Sequence, residues 1–181
     1  MDSFKVNFNL DIVSYKNFDL TGGSIQKTSN DKMWDPILLK DPIIKEGKSS
    51  VTFEVINTLN MRAIKFGIID PYLKLGEKSK EKSALDNINN NISYFNYSGE
   101  IFESGNYRTA GKPIFEGEVI TVEVDYEETK VNFYINGKLQ GSGQLGTKLI
   151  EGNIFFYVGM YHLNNEVKVI STSHTTAEQM K

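Results

Sequence analysis

Glu123-Val124-Asp125-Tyr126-Glu127-Glu128 sets Glu123, Asp125 and Glu128 in the pattern E-x-D-x-x-E. Carboxylates grouped in this way can hydrolyse a glycosidic bond. One attacks as nucleophile and a second serves as acid and base, about 5–5.5 Å away in an open cleft. That chemistry needs two of the acids facing one cleft, which a single strand carrying the whole pattern would provide. Here Tyr126-Glu127 and Thr129-Lys130 show no apolar alternation and read as a turn, which carries Glu128 away from Glu123. The expectation is a solvated hairpin end and no catalysis.

The other chemical inventory is thin. There is no cysteine, so disulfides, thiolate catalysis and cysteine metal sites are excluded. A zinc site would need both histidines, His162 and His174, plus carboxylates, and His174 falls in a polar C-terminal stretch. No G-x-S-x-G elbow occurs. Asp86-Asn87-Ile88-Asn89-Asn90-Asn91 lacks the sixth-position glycine and the closing glutamate of a calcium loop. Gly22-Gly23 and Gly141-Ser142-Gly143 lack the Lys-Ser/Thr and the helix of a phosphate loop. No metal and no cofactor is expected. Asn91-Ile92-Ser93 and Asn96-Tyr97-Ser98 match the glycosylation pattern and read as chance matches in an Asn-rich stretch.

Aromatics carry more information. Most of the 9 Tyr and 11 Phe fit β-propensity and core filling. Tyr15, Tyr72, Tyr107 and Tyr161 fall instead at loop or strand-end positions. There a tyrosine can anchor an interface, or it can pack half-buried under its own loop.

The elements that must hold these residues are strands. Ile120, Val122 and Val124 alternate with polar residues, as do Val131, Phe133 and Ile135, and Asn136-Gly137 supplies a type I′ turn into a third strand. Residues 4–12 alternate strictly. Residues 51–55, 64–68 and 92–97 read as strands, and residues 18–25 as a hairpin around Gly22-Gly23. Pro36 and Pro42 mark residues 30–48 as loop or edge. Residues 154–160 are almost continuously apolar, as in a strand covered on both faces, and Val167 and Val169 mark a last strand. Residues 76–91 read as a mobile loop with one possible helical turn near 83–85. Residues 98–112 read as a long loop and 172–181 as a loose tail. No stretch keeps a helical period over three turns. The pattern predicts an all-β sandwich or barrel in one domain.

An apolar strand ending in Asp125, a charged turn, then Asn132-Phe133-Tyr134-Ile135-Asn136-Gly137 resembles the SPRY (B30.2-like) family. Tyr94-Phe95-Asn96-Tyr97-Ser98-Gly99 resembles that family's aromatic strand. Phe115-Glu116-Gly117-Glu118-Val119-Ile120 resembles its Gly-Asp-x-Ile segment, with Glu118 where Asp is usual. The match spans residues 18–171 within a single domain assigned to 1–171. The resemblance implies a bent, concanavalin A-like sandwich of two antiparallel sheets. It also implies a non-catalytic protein-protein interaction module, an adaptor or assembly subunit that binds a protein or peptide through loops at one end.

On that resemblance the site comprises Tyr15, Tyr72, Tyr107, Arg108, Tyr161, His162 and Asn164. Tyr161 and Tyr72 would give apolar contact, while Arg108, His162 and Asn164 fix a polar or acidic group. The alternative is a lectin-like or glycan-processing sandwich, because the acid pattern also resembles the catalytic strand of some retaining β-glucanases. A net charge of −3 gives no footprint for nucleic acid, and no apolar run reaches the length of a membrane span. The N-terminus shows no secretory signal, so a cytoplasmic location is expected.

Overall fold

The meander foreseen at residues 119–139 is the backbone of the larger sheet. Strands β9 (Val119–Asp125), β10 (Lys130–Ile135) and β11 (Lys138–Gln144) pair in succession. Asn136 and Gly137 close the second turn with φ of 48° and 77°, as a type I′ hairpin requires. The computed structural model describes residues 16–31, 34–58, 63–72 and 91–180. The strand expected over residues 4–12, Tyr15, and nearly all of the loop expected over 76–91 lie outside them.

The remaining strands are β1 (Phe18–Asp19), β2 (Ser24–Lys27), β3 (Asp35–Leu38), β4 (Lys48–Asn57), β5 (Ile64–Ile69), β6 (Asn91–Phe95), β7 (Glu100–Glu103), β8 (Asn106–Thr109), β12 (Phe155–Met160) and β13 (Glu166–Thr175). A short helix, α1 (Thr147–Glu151), and a 3₁₀ turn over Ala177–Met180 complete the described elements. Among the described residues the strands form two antiparallel sheets, ordered β1-β2-β13-β4-β9-β10-β11 and β3-β12-β5-β6-β7-β8. This is the all-β sandwich that the hydrophobic alternation predicts.

The core lies between the sheets. Val51, Phe53 and Val55 of β4, Val122 of β9 and Phe133 of β10 meet Phe66 of β5, Tyr94 of β6 and Val158 of β12. Two ring pairs span the layers: Phe53 with Phe66 at 5.4 Å and Tyr94 with Phe133 at 5.6 Å. Strands β5 and β12 are buried on both faces. Leu38, Ile69, Phe155 and Tyr157 form a second, smaller cluster on the far face of the smaller sheet, with Trp34 packed against it.

Two expectations need correction. The loop expected over residues 98–112 contains the β7–β8 hairpin, closed by Ser104 and Gly105 with φ of 50° and 80°. All of β8 is exposed, so it shows no burial alternation for a sequence to betray. The tail expected from residue 172 is in fact strand through Thr175, paired with β4 as far as Lys48. There the Ser50 and Ser173 hydroxyls meet at 2.8 Å, and the Ser49 hydroxyl meets the His174 ring at 3.0 Å. Hydroxyl side chains continue the ladder without any apolar signal. By contrast, Pro36 sits on β3, an edge strand, where a missing N–H costs no ladder bond.

One ion pair ties the turn end of the β9–β10 hairpin to the start of β4. Lys48 Nζ lies 2.8 Å from the Asp125 carboxylate, which also accepts the Glu128 N–H at 3.0 Å. Burial pushes the Asp125 carboxyl up, but Lys48 and the turn N–H groups outweigh it and hold the group below its ordinary range. The Asp125 hydrogen bond raises Lys48 against a smaller opposing effect of burial. A depressed carboxyl contributes stability above its unfolded pKa and loses it as pH falls through the folded value; a raised lysine loses its contribution as pH rises through its own folded value.

Phe133 is fully buried, so Phe133→Ala should destabilise by about 3–5 kcal/mol in denaturant unfolding; an unchanged midpoint would refute its core placement. Asp125→Asn should destabilise near about pH 7, and the difference from wild type should shrink as pH falls from about 4, the ordinary carboxyl value of the unfolded chain, through the lower folded value. Urea midpoints across that range measure it, and a pH-independent difference would refute the pairing.

Candidate functional site

Strand β5 sends Ile64, Phe66 and Ile68 into the main core, so alternation turns Lys65 to the far face of the smaller sheet. Lys65 stands between Gly159 of β12 and Phe95 of β6. In the next row of that face, Gly67 and Ser93 are followed by Phe102 of β7 and Tyr107 of β8. The short side chains of Gly67 and Ser93 leave a path along which the lysine reaches the rings. Its Nζ lies 4.6 Å from the Trp34 ring centre, 5.4 Å from Phe102 and 5.5 Å from Tyr107. Each is within cation–π range.

The aromatics continue outward as one connected surface. Trp34 meets Phe95 edge-on at 5.7 Å and Tyr161 at 5.6 Å, and Tyr161 meets His162 at 4.9 Å. Phe95 meets Tyr97 at 6.1 Å and Tyr107 at 6.4 Å, while Tyr107 meets Phe102 at 4.9 Å. Tyr97 is 60% exposed and Tyr107 47%; Trp34, Phe95, Tyr161 and His162 are half-buried. Amphipathic rings around a cation offer apolar area, hydroxyl groups and positive charge together, the composition of an interface anchor.

A second lysine holds this surface in place. Lys27, at the end of β2, is in phase with Ile25 and fully buried. Its Nζ lies 2.8 Å from Asp35 and 3.0 Å from Asp31, and donates to the Met160 carbonyl at 3.4 Å. The Asn17 amide donates to both carboxylates. Asp35 adjoins Trp34 and Met160 adjoins Tyr161, so one ammonium sets both anchors.

The turn after β12 is tied to the same strand: Lys27 N–H donates to the Asn165 carbonyl and Asn164 N–H donates to the Lys27 carbonyl. Tyr161 N–H donates to the Ala63 carbonyl, and His162 N–H donates to the Asn165 side chain at 3.2 Å. Asn164 takes φ of 64°, which closes the turn.

Of the residues singled out in the sequence, Tyr107, Tyr161 and His162 share this surface, joined through Trp34 and Phe95. Asn164 lies on the Tyr161 turn and is exposed. Tyr72, 61% exposed, packs edge-on against Phe155 at the opposite end of β12. Arg108 alternates away from Tyr107. Its guanidinium donates to the Ser142 carbonyl and lies 3.6 Å from Glu103. Tyr15 is outside the described residues.

Trp34, Lys65, Phe95 and Lys27 escaped the sequence reading. The one tryptophan of the chain and Lys27, in phase with Ile25, were the available signals; Lys65 carried none.

The acids do not converge. Glu123 accepts from Asn132 at 3.1 Å and Tyr134 at 3.2 Å, Asp125 is held by Lys48, and exposed Glu128 sits across the turn beside Lys130. Burial, then the Glu123 carboxylate, push the Tyr134 phenol up. Among the described residues no three His, Asp or Glu side chains gather as a metal site would need.

No protein-family model and no curated protein matches the chain. Solved structures do match in fold. A human SPRY domain superposes with a TM-score of 0.64 at 17% identity, covering 84% of this chain and 94% of that one. The fold is SPRY-like. The SPRY domain of human HERC1 gives 0.63 at 14% identity over 88% of this chain and 98% of that one. The TRIM65 PSpry domain gives 0.64 at 11% identity over 93% of each. On this SPRY-like sandwich the aromatic surface occupies the far face of the smaller sheet, where β12 ends.

Lys27→Met should destabilise by about 3–5 kcal/mol, because it leaves Asp35 buried without its cation. Adding Asp35→Asn should recover part of that loss. Denaturant unfolding followed by Trp34 fluorescence measures both, and a wild-type midpoint for Lys27→Met would refute the role of the pair.

Proposed function

We propose that this chain is a non-catalytic protein-interaction module. It binds a protein or peptide through the surface of Trp34, Phe95, Tyr97, Tyr107 and Tyr161 around Lys65. The observation that carries this is the continuity of those rings: each touches the next, and two are about half exposed or more. Contiguous apolar surface at a fixed position is what an interface needs, whereas single exposed rings are ordinary. The SPRY-like fold supports the reading, since the sequence resemblance to that family implies a protein-binding role. Among the described residues no helix is long and apolar enough to cross a membrane. The module acts as an adaptor or as a subunit of a larger assembly, with the turn of Tyr161 and His162 as one rim of its site.

Affinity capture from the source cell with wild type, Tyr107→Ala and Tyr161→Ala as baits tests this. Tyr107 is half exposed, so Tyr107→Ala should keep the melting temperature close to wild type and weaken a captured partner by at least about 1–2 kcal/mol. Tyr161→Ala should lose binding and also some stability, because that ring packs on Trp34. A partner held by both variants at wild-type strength would place the site elsewhere.

A further inference from the structure

We infer that the aromatic surface selects an acidic side chain, Asp or Glu, flanked by apolar residues in the partner, and that Lys65 is the specificity-determining residue. This rests on the proposed binding role of the same surface.

The two buried lysines are treated differently. Lys27 has two carboxylates and a carbonyl oxygen. Lys65 is 2% exposed, yet among the described residues its ammonium meets only the rings of Trp34, Phe102 and Tyr107. Ring faces attract a cation but accept no strong hydrogen bond, so the donors of the ammonium keep their capacity. The sealed polar side-chain atoms without a partner among the described residues are Asn96 Nδ2 and the Tyr126 hydroxyl. Lys65 Nζ is not one of them, and its residue retains 2% exposure.

A partner carboxylate reaching that ammonium forms a charge-assisted bond in a ring-walled site of low dielectric. An approaching lysine or arginine finds the box already holding a cation. A neutral apolar group gains ring contact but offers the ammonium no acceptor.

The acids on the same side leave this preference in place. Asp35 is engaged by Lys27, and Glu100 lies across Phe95 with its carboxylate accepting the Ser98 hydroxyl. The chain as a whole carries a net charge of −3, so its overall field does not steer an acidic partner. The selection is local, and it should appear mainly in the dissociation rate.

Peptides selected from a random displayed library on the wild-type protein provide the probe. The enriched peptides should share an Asp or Glu between apolar residues. Replacing that acid by Gln should weaken binding roughly ten- to hundredfold, and replacing it by Lys should weaken it further. Lys65→Met, checked for folding by its melting curve, should remove the difference between the Glu and Gln peptides. If Lys65→Met does not fold, the Glu, Gln and Lys peptides on wild type still decide.

Peptides lost by Tyr107→Ala but indifferent to the acid would overturn this inference and leave the binding surface standing. Selection of no peptide that Tyr107→Ala loses would overturn the binding surface and this inference with it.

Discussion

A lysine ammonium with no access to water must find its charge balance within the fold, and Lys27 finds it across the seam between the sheets. Its backbone belongs to β2 of the larger sheet. Its carboxylate Asp35 begins β3 of the smaller one, and its carbonyl partner Met160 ends β12. A fully buried pair adds little net stability over apolar residues of the same volume, but breaking it is costly. Its effect is therefore positional. Shifting β3 or β12 along its neighbour would strand a charge, so the register of both strands is fixed where Trp34 and Tyr161 emerge.

Lys65 shows the other way to keep an ammonium inside a protein. Three ring faces replace part of its hydration, each by an amount on the order of 0.5–2 kcal/mol depending on how dry the site is. The sheet makes room for this. Gly159 stands beside Lys65, and Gly67 and Ser93 lie between it and the rings of Phe102 and Tyr107. At Gly67 a Cβ would come within 2.0 Å of the Ile92 carbonyl oxygen, so that position cannot be filled without moving β6. One residue serves both close strand packing and the path of the lysine.

How much of this a sequence reveals depends on which face a residue uses. β4, β9 and β10 have one buried and one wet face, and strict alternation made them legible. The Asn136-Gly137 turn was legible because few residue pairs tolerate its backbone. β12 was legible as a strand covered on both sides. β8 and the end of β13 were not, because their side chains are exposed and only backbone pairing defines them.

The site follows the same rule. Tyr107 and Tyr161 stood out by type at strand ends, and so did Tyr72. Whether two such residues meet is decided by register, which set Tyr72 at the far end of β12. Lys65 was concealed because a strand buried on both faces has no polar phase for a lysine to interrupt. Lys27 carried a faint signal, a charge in phase with Ile25, whose meaning depended on acids four and eight residues later.

The separation of the two clusters explains how the surface proposed for binding can be present without burdening the fold. The main core fills the space between the sheets and takes in strands from both. The smaller cluster of Leu38, Ile69, Phe155 and Tyr157 lies behind the second sheet, and Trp34 is the residue through which it reaches the aromatic surface. Rings beyond Trp34 add area to that surface without entering the main core. Changes at Tyr97 or Tyr107 therefore leave the main core in place, and on the proposed role they would alter binding more than folding. Trp34 is different: it touches the inner cluster, packs at an angle against Phe95 and Tyr161, and covers the Lys65 ammonium. On the proposed role it is the point at which stability and recognition would be the same contact, and substitution there would change both.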